Sequence, residues 1–344
     1  MKLKNKLKNG SSWGTSLKVL PWDKSTQITD TQQLISSTIH EWYDAKHPIT
    51  SNDEIQLINK FGKLSCPYCH SKEIMKNGFY KAKIQRYCCK SCGKKFSPLT
   101  NTIFEAKKIP ISEWIEYLIH LFEFHSIRTS ARDNRNSEST GKYWLIKVFE
   151  VLKDIQNDVV LEGNIYLDEM YFPVIKSKVV TKNGKKLRGI SRNKIGVGVA
   201  FDDNGNYILI VEYTSKPSDK STWTAFGNHI KEGSHLIHDG ERSHGKLIRE
   251  LSLTSEVYKT NITLGMKDED NPLDPINNLH ALSKRFIKAH GGYDRNNLQD
   301  WMNLVWFILS KPYNRFEKIE RFISLALNSP QKVKYRDVMK KSAH

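Results

Sequence analysis

Long apolar runs are missing from this 344-residue chain. No stretch approaches the roughly 20 residues that a membrane-spanning helix needs. The start, Met1–Asn9, carries Lys2, Lys4, Lys6 and Lys8 but leads into polar residues instead of an apolar signal core, so a cytoplasmic, nucleoid-associated protein with no membrane partner is expected. Cysteine is scarce as well. Five residues, an odd number crowded into one segment, argue against the paired disulfide framework of a secreted domain. Acids are in deficit: 37 Asp and Glu face 54 Lys and Arg, which leaves a formal charge of +17. Such an excess favours a polyanionic partner, and nucleic acid is the usual one. The remaining composition, 38% hydrophobic and 26% charged, is that of a globular chain long enough for two or three domains.

What the chain does have begins with Cys66-Pro-Tyr-Cys69 and Cys89-Lys-Ser-Cys92, two Cys-x-x-Cys knuckles 19 residues apart. Each knuckle lets two thiolates point at one centre, and two knuckles complete the tetrahedral four-sulfur site that Zn²⁺ prefers. A closed set of this kind keeps no open position, so the expected ion is structural. A redox dithiol needs one knuckle and leaves the second unexplained. Gly78, Tyr80, Ile84 and Tyr87 suit a short hairpin between the knuckles, and Lys90, Lys94 and Lys95 offset the negative centre. Cys88 is a spare thiol or an alternative to Cys89.

The flanks read as helical. Asp30 is placed to cap a helix running to about Trp42, and Ser51 with Glu54 forms a capping-box pattern ahead of Ile55, Ile58 and Phe61, closed by Gly62. After the ribbon, Ser112 precedes Trp114, Leu118 and Leu121 at helical spacing. A polar break with Arg128, Arg132 and Arg135 follows, then a second helix opened by Ser137–Thr140 and continuing through Tyr143, Ile146, Lys147 and Phe149 to Leu152. This pattern is compatible with helix-turn-helix recognition of a major groove, or with a plain helical linker.

From Asn164 the pattern changes to strands. Asn164–Phe172 alternates so that Tyr166, Asp168 and Met170 share one face and Leu167, Glu169 and Tyr171 the other. An Asp in such a run is a metal ligand or an ordinary paired acid, because burying it alone is costly. Val174–Val180 continues the strand past a bend at Pro173, and a basic turn spans Lys182–Arg188. Strands at Lys194–Phe201 and Tyr207–Tyr213 flank the turn Asp202–Asn206. A helix at Ser221–Lys231, a strand at Ser234–His238, a helix at His244–Leu251 and a strand at Glu256–Lys259 complete the order of an RNase H-like α/β domain. Asp239 ends the later strand, where open sheets place ligands, although Asp-Gly is also a common turn. In this fold Asp168 and Asp239 lie side by side and can hold Mg²⁺ against phosphate oxygens.

The ribbon, Tyr166-Leu-Asp-Glu-Met-Tyr-Phe172, Arg188-Gly-Ile-Ser-Arg192, His238-Asp-Gly240 and Asn277-Asn-Leu-His-Ala-Leu-Ser-Lys-Arg285 together resemble the ISXO-like insertion-sequence transposases, over about residues 60–310. These are bacterial DDE-type enzymes with an amino-terminal zinc ribbon. The resemblance implies a DNA transposase that binds terminal inverted repeats and target DNA, cleaves and joins strands with Mg²⁺ or Mn²⁺, and works as a homo-oligomer on double-stranded DNA. The third active-site position in that family is often Asn with a basic residue after it. Order and spacing put this on Asn277, 38 residues after Asp239, with Lys284 seven further on. His280 shares a helical face with Asn277, Lys284 and Lys288, so Asn277, Asn278 and His280 all compete for the position, and Asn277 can equally be a helix N-cap. Asp268, Glu269, Asp270 and Asp274 read as a solvated loop.

The expected chain is therefore multidomain α+β. It comprises a helical extension (1–62), a Cys₄ zinc ribbon (63–100), a helical, HTH-like DNA-binding segment (101–156), an RNase H-like DDE-type catalytic domain (157–312) and a helical basic tail (313–344). Leu298, Trp301, Met302, Val305, Trp306 and Leu309 read as core, and Phe316–Leu327 as a helix. The rival reading is a catalytically inactive zinc-ribbon DNA-binding regulator derived from a transposase, favoured by the missing third acid. A third is a sequence-nonspecific RNase H-like nuclease.

Overall fold

The computed structural model describes residues 51–338 except 82, 106–108, 135, 215, 264, 268–269, 292, 330 and 337. The expected Asp30–Trp42 helix, Arg135, Asp268 and Glu269 lie outside the described residues. Two compact units are present, one running to Val151 and resuming at Asn314, the other spanning Leu152–Tyr313.

In the first unit, helix α1 (Ser51–Lys60) precedes a three-stranded antiparallel sheet of β1 (Ile74–Phe79), β2 (Gln85–Cys89) and β3 (Lys95–Phe96). Glu54 reaches beyond its own helix: its carboxylate accepts the Ile111 N–H at 2.9 Å, at the start of helix α2 (Ile111–Phe122). Trp114, Leu118 and Leu121 are buried, as their spacing requires, and Trp114 stacks on Trp144 of helix α4 (Glu138–Leu152) with centroids 4.3 Å apart. The expected polar break between those helices is itself a helix, α3 (Ile127–Asp133), capped by Ser126, whose side chain accepts the Thr129 N–H. Its exposed face carries Arg128 and Arg132, which makes the segment look unstructured, while Ser130 and Ala131 are buried. Small size matters here, since a Cβ added at Gly141 would lie 2.9 Å from the Ala131 Cβ. The later helix Arg315–Asn328 packs Phe322 edge-on against Phe122.

The second unit is built on a five-stranded mixed sheet. Its strands are β4 (Asn164–Pro173), β7 (Lys194–Asp202), β8 (Tyr207–Thr214), β9 (His235–His238) and β10 (Thr254–Val257), in the order β10-β9-β4-β7-β8. β4, β7 and β8 form an antiparallel meander, whereas β9 runs parallel to β4 and β10 parallel to β9. An antiparallel meander extended by parallel strands on the far side of its first strand is the RNase H-like arrangement. The β7–β8 turn is held by the Asp202 side chain, which accepts the Asn206 N–H at 2.9 Å, and by Gly205 at φ +81°.

Helices α5 (Asp219–Phe226) and α6 (Gly245–Glu250) cover one face, over a core including Ile165, Leu167, Ile208, Phe226, Leu236 and Leu247. Helices α7 (Asp274–Ala289) and α8 (Leu298–Leu309) lie on the other, where Trp306 packs against Tyr207 of β8 and donates its indole N–H to the Tyr207 carbonyl at 2.6 Å. α8 buries Trp301, Met302, Leu304, Val305 and Phe307, each worth about 1.5–3 kcal/mol if wholly removed from water.

Four expectations shift. The β4 strand does not continue through Val174–Val180: it ends at Pro173, a residue with no N–H for a ladder, and Lys176–Lys178 forms a 3₁₀ turn. A separate two-stranded ribbon follows, β5 (Thr181–Lys182) and β6 (Lys185–Lys186), turned by Asn183 and Gly184 at φ +50° and +71°. The helix after β8 ends at Phe226 rather than Lys231, and β10 lies two residues earlier than Glu256–Lys259. Finally, α7 opens at Asp274 with Pro275 in its first turn, so Asn277 is inside the helix and is not its N-cap. No helix among the described residues is long and apolar enough to cross a membrane.

Candidate active site and cysteine centre

The four knuckle cysteines converge. Cys66, Cys69, Cys89 and Cys92 place their sulfurs within 4.8 Å of one another, with Cys66–Cys92 at 3.7 Å and Cys69–Cys89 at 3.6 Å. Sulfurs about 2.3 Å from a central Zn²⁺ sit about 3.8 Å apart in a tetrahedron, so the set fits that ion. Both knuckles turn the same way, with a left-handed residue one position after the second cysteine: His70 at φ 60° and Gly93 at φ +67°. Cys88 is decided by the alternation of β2, which turns its thiol away from the cluster, 3.7 Å from the Gly93 carbonyl. The Cys89 thiol is lowered to about 6, chiefly by the Cys92 backbone N–H, despite burial.

Asp168 sits in the middle of β4 with its side chain 23% exposed. Leu167 pairs with His238 in the parallel β9, so Asp239 comes one step past the end of that strand, beside Asp168. Its carboxylate accepts the Glu241 N–H at 2.9 Å, which fixes the turn. Gly240 is required there: its φ is +85°, and a Cβ would meet Val257 Cγ1 at 2.7 Å. Burial pushes the Asp168 carboxyl up to about 7, and the charges of Glu169 and Asp239 push the same way, although the Glu169 N–H donates to it at 2.8 Å. Like charges held together raise one another's pKa, and a cation between them removes the penalty.

His280 completes the group. From α7 it brings Nδ1 to 3.9 Å from Asp168 Oδ2, and its buried Nε2 has no hydrogen-bond partner among the described residues. Burial, with the Lys284 charge one turn further on, lowers this imidazole to about 4, so it is neutral at pH 7. Asn277 and Asn278 are exposed, and Asn278 donates to Asp274 Oδ2 at 2.7 Å. Of the three residues competing for the third position, His280 is the one brought to Asp168. Because the helix starts at Asp274, the face of α7 turned to the sheet falls on Ile276, His280 and Ser283 instead of Asn277. Two carboxylates and a neutral imidazole are ligand types that a divalent cation accepts.

On the opposite face lies a polar cluster that sequence reasoning passed over. Glu169 Oε1 lies 3.0 Å from His244 Nε2, and His244 Nδ1 lies 2.8 Å from His238 Nδ1, all three residues being buried. His238 Nδ1 also accepts the Gly240 N–H at 3.2 Å, which ties the β9 turn into the same cluster. Burial opposes a charge on His244, but the Glu169 hydrogen bond and the carboxylates of Glu169, Asp239 and Glu212 outweigh it and raise the His244 pKa. His238 is lowered to about 4, by burial first and the His244 charge second. Glu212 joins from β8, accepting the Thr222 hydroxyl at 3.1 Å, and burial followed by the Glu169 charge raises it to about 8. A signal for this cluster was available in Gly198, where a Cβ would come 1.9 Å from Glu212 Oε1: a glycine inside a strand marks a close approach. The pair holds β9 against β4 directly beneath Asp239.

No family model matches the chain. An uncharacterized protein in the transposable element ISH50 of Halobacterium salinarum is 22% identical over 248 residues, covering 69% of this chain and 82% of that protein. The chain is a relative of an insertion-sequence protein. That relative lies in a transposable element, which agrees with the resemblance read from the motifs. Among solved structures, the Mos1 strand transfer complex matches 64% of this chain and 79% of its own at 12% identity with a TM-score of 0.28. The catalytic domain of Mos1 mariner transposase matches 56% and 95% at 11% identity with a TM-score of 0.27. Scores of this size carry no argument, and the fold assignment rests on the strand order itself.

Proposed function

We propose that this protein is a DNA transposase that performs metal-dependent phosphoryl transfer at Asp168, Asp239 and His280. The observation that supports this most directly is the pairing of Leu167 with His238 in parallel β4 and β9, which brings Asp239, just past the end of β9, beside Asp168 in the middle of β4, with the neutral His280 imidazole 3.9 Å from Asp168. The relationship to a transposable-element protein supports the same reading. Mg²⁺ or Mn²⁺ held by the two carboxylates would supply an activated oxygen nucleophile and stabilise the leaving oxygen of an in-line displacement. Asp168 and Asp239 contribute the anionic oxygens that hold the ion. His280 offers nitrogen in place of the usual third acid, which tilts the set toward Mn²⁺. Lys284, exposed one turn along α7, neutralises a DNA phosphate entering the site. Glu169, His244 and His238 are positioning residues that keep the Asp239 turn in place.

In this reading Cys66, Cys69, Cys89 and Cys92 bind a structural Zn²⁺, and the ribbon with α2, α3 and α4 binds the terminal inverted repeats. The protein acts as a homo-oligomer on double-stranded DNA. One observation favours the inactive-regulator alternative: the third ligand is not a carboxylate. Strand nicking and joining of a duplex carrying the element's ends, in Mg²⁺ or Mn²⁺, separates the two. A transposase does both and loses both in Asp168→Asn, whereas a regulator binds the ends and leaves them intact in either metal.

A further inference from the structure

The segment between β4 and β7 is the most one-sided stretch of charge in the second unit. From Val174 to Lys194 it carries Lys176, Lys178, Lys182, Lys185, Lys186, Arg188, Arg192 and Lys194 and no acid. All but Lys194 are exposed, and none of the exposed ones has an ion-pair partner among the described residues. Surface cations elsewhere do pair, as Lys231 does with Glu162 at 2.6 Å and Lys142 with Glu138 at 2.9 Å.

The segment is nevertheless built. Asn193 accepts the Val180 N–H at 2.7 Å and donates back to the Val180 carbonyl at 2.9 Å, and its own carbonyl accepts the Val174 N–H at 3.1 Å. This lashes both ends of the excursion together and leaves the β5–β6 ribbon projecting. Such an unpaired array repels itself when the protein is alone, and a polyanionic partner relieves that repulsion more fully than dissolved salt.

Its position narrows the partner. The excursion leaves the carboxyl end of β4 at Pro173, five residues beyond Asp168, or about 17 Å along a strand, and the ribbon follows from Thr181. A duplex presented to Asp168 and Asp239 extends further than that, one helical turn being about 34 Å. A two-stranded ribbon also matches the width of a DNA major groove. Most of its cations are lysines, point charges that suit phosphates better than base edges, and the Asn193 amide is already engaged with backbone.

We propose that the β5–β6 ribbon grips the phosphate backbone of double-stranded DNA beside the cut site, without reading its sequence. This rests on the catalytic reading only for the duplex's place over the site. In the full chain, Lys182→Ser/Lys185→Ser/Lys186→Ser should not lower the melting temperature, since all three side chains are exposed and repel one another. The slope of log affinity against log salt for a random-sequence duplex should become shallower by about 2.7, at about 0.9 for each phosphate that is no longer neutralised. Lys176→Ser/Lys178→Ser, which leaves the ribbon strands untouched, should lower it by about 1.8. A wild-type slope in the Lys182→Ser/Lys185→Ser/Lys186→Ser variant overturns the proposal, as does a weakening confined to duplexes carrying the element's ends. Cleavage by the wild type is scored separately: if it is absent while the slopes change as stated, the catalytic reading falls and the ribbon's grip on DNA stands.

Discussion

The two faces of β4 treat an acid in opposite ways. Under α5 and α6, Glu169 has a side chain 3% exposed, and its carboxylate is met inside the protein by His244 Nε2 at 3.0 Å, whose pKa the contact raises. On the other face its neighbour Asp168 is 23% exposed and sits beside a second carboxylate, Asp239, with a neutral imidazole in place of a cation. A buried charge with its own counter-charge is complete and contributes to architecture. A charge set beside a like charge is relieved when something positive arrives, which is the physical basis for the site proposed at Asp168 and Asp239. The cysteine cluster makes the same point in the first unit, where four thiols converge on one centre.

If the contrast is right, substitutions on the two faces fail in different assays. The largest effect is on Asp168 or Asp239: Asn at either position should cut metal-dependent nicking by a factor on the order of 10³ or more while the protein still melts cooperatively. Wild-type rates in both would sink the catalytic assignment. Glu169→Ala should instead lower stability by about 3–5 kcal/mol, because it strands the His244 charge in the interior, and denaturant melts measure this directly. A Glu169→Ala protein as stable as wild type would mean that the pair is not ionised. Next comes the third ligand. His280→Ala should reduce nicking by about 10–100-fold and weaken Mn²⁺ binding, whereas Asn277→Ala should change either by less than a few fold. The reverse ranking restores Asn277 to the site.

The smallest effect is on pH dependence. Asp168, raised to about 7, and Glu212, raised to about 8, keep protons in the folded state that the unfolded chain releases near pH 4. Between about pH 4 and 6.5 that excess is offset by His238 and His280, lowered to about 4, which release protons the unfolded chain still holds. The folded form therefore binds more protons between about pH 6.5 and 8, and stability without added Mg²⁺ or Mn²⁺ should fall as pH rises through that window. Asp168→Asn should remove part of the slope and raise the melting temperature at pH 8 by a few degrees, with no change at pH 4. An unaltered slope would show that Asp168 titrates normally.

Much of this is legible in the chain. Knuckle spacing is a local property, and it picks out the four cysteines that converge. Period-two alternation puts Asp168 and Glu169 on opposite faces, and Asp239 is identified by its place at a strand end. The less legible parts depend on partners distant in sequence. Glu169 looks like an ordinary member of an apolar run because its counter-charge lies 75 residues away in His244. The α3 helix reads as a break because its exposed side is arginine-rich and its buried side consists of small residues that carry no hydrophobic signal. Motif order favours Asn277 over His280, and a start of α7 three residues earlier than Asn277 turns the helix so that His280 meets the sheet.

By itself, the sequence determined the excess of positive charge, the four-cysteine set, the strand carrying Asp168 and the turn carrying Asp239, since each follows from composition, fixed spacing or strand periodicity. The tertiary structure decided which face of β4 is neutralised from within, which residue of α7 reaches Asp168, and that the basic excursion after Pro173 is a pinned ribbon at the same end of β4. Those outcomes depend on strand pairing and helix phase, which bring together residues that no local pattern connects.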